Sequence, residues 1–140
     1  MTQKRLEGTW HNQLGSSMKI GPVAKDGTIT GTYTTAVSKE GCAKGDFRLV
    51  GRITPSSGDK GAVVAFVVAW KNADESDCHS VTAWSGLYEV IDDQERITAF
   101  WLHTSGASST KSWNSTIIGE DTFARSKSTV ADLTKRPSHP

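Results

Sequence analysis

Helix signals are nearly absent from this chain before its last segment, while eight short runs rich in β-branched and aromatic residues recur with turn residues between them. The runs are "GTWHNQL", "SMKIGPVA", "TITGTYTTAV", "FRLVGRIT", "AVVAFVVAW", "HSVTAWSGLYEV", "RITAFWLHTS" and "SWNSTIIGEDTFAR". Gly and Asp stand where tight reversals need them, in "KDG" at 25–27, "SSGDKG" at 56–61 and "DDQ" at 92–94. Short links between consecutive strands imply an up-and-down meander. Eight such strands close into a barrel wide enough for one small ligand, and closure removes the exposed edges that invite aggregation. The expected fold is therefore all-β, an eight-stranded antiparallel up-and-down β-barrel over residues 8–125, preceded by a flank at 1–7. Residues 126–140, "SKSTVADLTKRPSHP", are polar and proline-terminated and are expected to form a flexible, mostly disordered C-terminal tail.

At 140 residues the chain is long enough for one domain with a real core. Lys and Arg number 16 against 15 Asp and Glu, a balance that gives no electrostatic reason to expect nucleic acid or an anionic membrane as partner. No apolar run approaches the ~18 residues of a membrane-spanning helix. The opening "MTQKRLEGTW" lacks the apolar stretch of a secretory leader, so either the protein is cytosolic or a leader is absent from this chain. Cys42 and Cys78 lie in the polar stretches "KEGCAKGD" and "DESDCHS", unlike buried structural thiols. A disulfide between them would place the protein in an oxidising compartment, secreted or periplasmic; two unrelated free thiols are the alternative.

A barrel packed for stability alone would present mainly aliphatic side chains inward. Here Tyr33, Thr35 and Val37 share one face, Ser80, Thr82 and Trp84 alternate on another strand, and Asn12, Leu14 and Ser16 alternate near the first. Such polar groups are costly to bury unpaired, so each set faces either bulk water or a cavity that receives a polar ligand. The chain has five tryptophans, and Trp70, Trp84, Trp101 and Trp113 stand in or at the ends of the strands around the polar candidates. Indoles beside hydroxyls, an amide and the carboxylate of Asp121 make a pocket with apolar walls and a few fixed polar contacts. That combination suits a small ligand with a flat polar end and an aliphatic body.

The motifs "GTW", "LGSSM", "GTYTTAV", "AWKN", "HSVTAWSGLY", "FWLHTSG" and "SWNSTIIGEDTF" resemble, in order and spacing, the avidin and streptavidin family of biotin-binding proteins. The resemblance covers roughly residues 8–125 and implies an avidin-like barrel that binds biotin without chemistry and without a cofactor. It implies that the ureido oxygen accepts from Asn12, Ser16 and Tyr33 and that the ureido N–H groups donate to Thr35 and Asp121. Thr82 matches the position that meets the ring sulfur, and Ser80 the one that meets the valerate carboxylate. Trp70, Trp84 and Trp101 would wall the ligand, with Leu14, Val37, Ser38, Lys39 and Glu40 also around it. Trp113 matches the position at which a neighbouring subunit lids the site, which implies self-association, as a homotetramer or a dimer.

Two features depart from the family pattern. The loop "SKEGCAKGD" places Lys39 and Glu40 near the expected carboxylate, with Cys42 just beyond; a Cys42–Cys78 bridge would tie the two loops flanking the mouth, as in some dimeric bacterial members. His103 stands where the family usually has Leu, bringing an imidazole that can titrate near neutrality. The four histidines, His11, His79, His103 and His139, show no metal-ligand spacing. No nucleophile elbow, Walker loop or dinucleotide fingerprint occurs. Two other readings are a lipocalin-like carrier of another heterocyclic or apolar ligand and a hydrolase using Asp121 or His103.

Overall fold

A computed structural model describes residues 6–36, 45–55, 61–71, 79–106 and 116–135. The eight strands are β1 (Gly8–Asn12), β2 (Ser17–Ile20), β3 (Thr28–Thr34), β4 (Asp46–Pro55), β5 (Ala62–Lys71), β6 (His79–Ile91), β7 (Gln94–Ser105) and β8 (Thr116–Ala124). Each pairs antiparallel with its neighbour in sequence, and β1 pairs with β8 to close the barrel. All eight fall within or around the runs expected from the sequence. The β6–β7 hairpin turns through Asp92 and Asp93, both in the left-handed region with φ of 53° and 63°, as a two-residue turn matched to strand twist requires.

Alternation decides what lies inside. Along β5 the side chains of Ala62, Val64, Phe66, Val68 and Trp70 are buried, while Val63, Ala65, Val67 and Ala69 face out, although the run is apolar throughout. The base of the barrel is filled by Trp10, whose ring meets Tyr88 edge-on with centroids 6.0 Å apart, together with Leu6, Ile29 and Ile97. Arg125 lies 3.8 Å above the Trp10 ring and donates to both oxygens of Glu95, one of which also accepts from the Tyr88 hydroxyl at 2.9 Å. The opposite end is the rim, marked by the strand ends Thr34, Asp46, Lys71, His79, Ser105 and Thr116.

The tail differs from expectation. Residues 127–135, expected within a disordered segment, form helix α1 (Lys127–Lys135). Ser126 caps it, its Oγ accepting the N–H of Thr129 at 3.1 Å, and Val130 is buried where the helix packs against β8 and β1. The cap and the buried valine tie down a polar segment that composition alone assigns to solvent.

Candidate functional site

The site begins in the turn between β1 and β2. Asn12 shapes it: Oδ1 accepts the backbone N–H of Leu14 at 3.0 Å and of Ser16 at 2.9 Å. With both lone pairs of that oxygen engaged, the amide is held with Nδ2 directed at Tyr33, donating to its Oη at 3.2 Å. Ser16 Oγ accepts the N–H of Ala36 at 2.9 Å and lies 3.4 Å from Thr35 Oγ1. Burial raises the Tyr33 phenol above its ordinary range; the charge of Asp121 pushes the same way and a hydrogen bond with Ser16 opposes it. The hydroxyl therefore stays protonated at neutral pH and has a proton to give.

Asp121, on β8, supplies the opposite polarity. Its Oδ2 accepts the indole N–H of Trp84 at 2.8 Å and its Oδ1 accepts Gln13 Nε2 at 2.9 Å. Each oxygen keeps a further lone pair. The donors of Asn12, Ser16 and Tyr33 thus share the buried interior with one acceptor carboxylate. Among the described residues, Asn12, Ser16, Thr82 and Asp121 are the buried polar or charged side chains, and all four were candidates from the sequence.

Aromatic rings line this interior. Trp84 is stacked with Tyr33 at 5.0 Å and with Phe66 at 4.9 Å, and Trp70 meets Tyr33 edge-on at 5.5 Å. Trp101, half-buried on β7, is paired with Gly119 on β8 and lies across it: a Cβ at 119 would fall 2.1 Å from the ring. Towards the rim, Trp70 Nε1 donates to Thr82 Oγ1 at 2.8 Å, and Thr82 Oγ1 is 2.6 Å from His103 Nδ1. Burial pushes the His103 imidazole below its ordinary value. Ser105 Oγ stands 3.4 Å from His103 Nε2.

The structure therefore brings Asn12, Ser16, Tyr33, Thr35, Trp70, Thr82, Trp84, Trp101, His103 and Asp121 to one interior and its rim. Ser80 is half-buried beside it, in register with Trp70 and Ser105. Leu14 is not gathered with them; it sits in the turn and is 54% exposed. Val37, Ser38, Lys39, Glu40, Trp113 and the proposed Cys42–Cys78 pair lie outside the described residues. Gln13 escaped sequence reasoning, because nothing in "HNQLG" marks it as reaching across to β8. Phe66 could have been found, since alternation along "AVVAFVVAW" puts it on the face of Trp70.

The profile of the Avidin family matches residues 1–126. The chain belongs to the avidin family. It is thereby a member of the family of biotin-binding proteins whose motifs the sequence resembles. Among family relatives, afifavidin of Afifella pfennigii is 31% identical over 119 residues, 84% of this chain and 67% of its own. Avidin of Gallus gallus is 32% identical over 129 residues, 86% of this chain and 77% of its own. Among the described residues no group of three or more His, Cys, Asp and Glu gathers as a metal site.

Proposed function

We propose that this protein binds biotin non-covalently inside its barrel and sequesters it unchanged. The observation that carries this reading is the sorting of polarity in the interior: donors from Asn12, Ser16 and Tyr33 and, among the described residues, one buried carboxylate acceptor in Asp121. A cyclic urea has the complementary pattern, one oxygen that accepts and two N–H groups that donate. The oxygen would take hydrogen bonds from the three donors, and the N–H groups would donate to Thr35 and Asp121. A carboxylate on one N–H draws charge towards the oxygen and strengthens the set. Trp70, Trp84 and Trp101 would hold the bicyclic ring and chain, with Ser80 and the residues 37–40 near the valerate carboxylate. A carrier of purely apolar ligands gains nothing from three buried donors and a buried carboxylate, which is why the lipocalin-like alternative is weaker.

The same reading includes self-association, with Trp113 lent to a neighbouring subunit's site in a homotetramer. Its support is the outer face. Val50, Val67, Ala83, Leu102 and Ile118 are directly paired across β4–β8 and all face solvent, beside an open depression of about 690 Å³. An apolar row crossing five strands suits contact with a second copy. A Cys42–Cys78 bridge and a secreted or periplasmic location complete the proposal. Titration with biotin, followed by tryptophan fluorescence, tests its centre: saturation at one ligand per chain supports it, and unchanged emission and melting temperature at excess biotin refute it.

A further inference from the structure

Thr82 is held between two partners of different character. The indole N–H of Trp70 can only donate, so its 2.8 Å contact with Thr82 Oγ1 commits one of the two hydroxyl lone pairs. The contact with His103 Nδ1 at 2.6 Å can run in either direction. If Nδ1 is bare, the single hydroxyl proton goes to it, and Thr82 shows any ligand only its remaining lone pair. If Nδ1 carries a proton, it donates to Thr82, both lone pairs are used, and the hydroxyl proton is released for a ligand. The direction of one hydrogen bond on the pocket wall is therefore decided by a residue one strand away.

We infer that His103 is a positioning residue for ligand specificity: in its neutral form with the proton on Nε2, it makes Thr82 an acceptor towards the pocket, and on protonation it turns Thr82 into a donor. The Nε2–H form has Ser105 Oγ 3.4 Å away as an acceptor. Partial burial of the ring pushes its pKa below the ordinary value and so favours the neutral form. Among the described residues, the groups facing His103 add few competing charges. β6 presents Thr82 and Ser80 with His79 at the rim, β5 presents Trp70, and β8 presents Ile117 in direct register. Asp121 lies two inward positions further along β8 and is bonded to Trp84 and Gln13.

The ligand class this wall discriminates is one with or without a weak acceptor, such as a thioether sulfur, beside Thr82. This consequence rests on the biotin reading. Biotin and desthiobiotin share the ureido group and the carboxylate and differ at the sulfur, so the ratio of their affinities cancels every other pH effect.

Two measurements test the inference. Imidazole nitrogen NMR of the ligand-free protein should show His103 with its proton on Nε2 at neutral pH, and Thr82→Val should convert it to a tautomer mixture; a proton on Nδ1 at neutral pH, or a tautomer indifferent to Thr82→Val, overturns the inference without reference to any ligand. In titrations from pH 8 down through the protonation of His103, located by the same NMR signals, the preference for biotin over desthiobiotin should grow about three- to tenfold in the parent, the effect of one added neutral hydrogen bond, and stay flat in His103→Leu. A flat ratio in the parent, with both ligands binding, overturns the inference and leaves the biotin reading intact. Failure of both ligands to bind at any pH overturns the biotin reading, and the NMR result then decides the role of His103 alone.

Discussion

The indole N–H of Trp84 donates to Oδ2 of Asp121 at 2.8 Å, tying the aromatic wall of the barrel to its buried carboxylate. Because Gln13 holds the other oxygen, the carboxylate is fixed before any ligand arrives. Asp121→Ala would remove that acceptor and leave the Trp84 and Gln13 donors without it. A hydrogen bond to a charged group is worth roughly 1.5–3 kcal/mol, and weakening of the opposing bonds adds to that, so biotin affinity should fall at least ~100-fold with the fold retained. Competition titration checks this; a loss within about threefold, well under 1.4 kcal/mol, would exclude Asp121 from the ligand contacts.

Tyr33→Phe should weaken biotin binding by about tenfold, the worth of one neutral hydrogen bond, and leave Asn12 Nδ2 without its present acceptor. The substitution also has a pH signature. Burial and the Asp121 charge raise the Tyr33 pKa, so above about pH 10 the unfolded chain ionises while the folded protein keeps the proton. The contribution is complete below that pH and is lost as pH rises through the raised folded value. Urea unfolding from pH 8 to 11 should show the parent losing stability relative to Tyr33→Phe; parallel curves would mean the phenol is not held neutral by the fold.

Gly119→Ala should displace the Trp101 ring, since the new Cβ would stand 2.1 Å from it. Overpacking of this kind costs about 1–3 kcal/mol. A lowered melting temperature together with a changed near-ultraviolet circular dichroism spectrum is the expected result, and a spectrum identical to the parent's would show that the ring does not rest on β8.

Leu102→Glu and Ile118→Glu place charges on the outer apolar row, where both side chains are exposed in the single chain. The barrel should therefore remain folded while its association weakens. Light scattering should report a smaller species than the parent, and biotin release should quicken if a neighbour completes the site. Unchanged mass would move the interface to another face.

The barrel was legible because its signals are local. Alternation in "HSVTAWSGLYEV" and the paired Asp92–Asp93 turn each specify geometry within a few residues. The buried polar set was legible in two ways: Asn12, Ser16 and Thr82 alternate along single faces that must meet either water or a cavity, and the family resemblance singled them out together with Asp121. Gln13 was not, because its role depends on β8 arriving beside β1 from the far end of the chain. The order of α1 was hidden likewise, since it depends on Val130 meeting strands distant in sequence. Contacts made across the closure carry no periodic trace.

That closure is the thinnest joint in the barrel. β6 and β7 are paired from Ser80↔Ser105 to Ile91↔Gln94, whereas β1 and β8 are in register at His11↔Ala124 and Asn12↔Phe123. Gln13 prolongs the joint with its side chain, donating to the carbonyl of Glu120 at 3.1 Å and accepting the N–H of Thr122 at 2.9 Å. Joining the two ends of the chain carries the largest loop-closure cost, so this seam is expected to form last in folding and to open first in breathing. Asn12 and Asp121 stand on its two sides. A molecule gripped by both would act as a clasp between the first strand and the last, and its departure and the opening of the cylinder would become a single kinetic event.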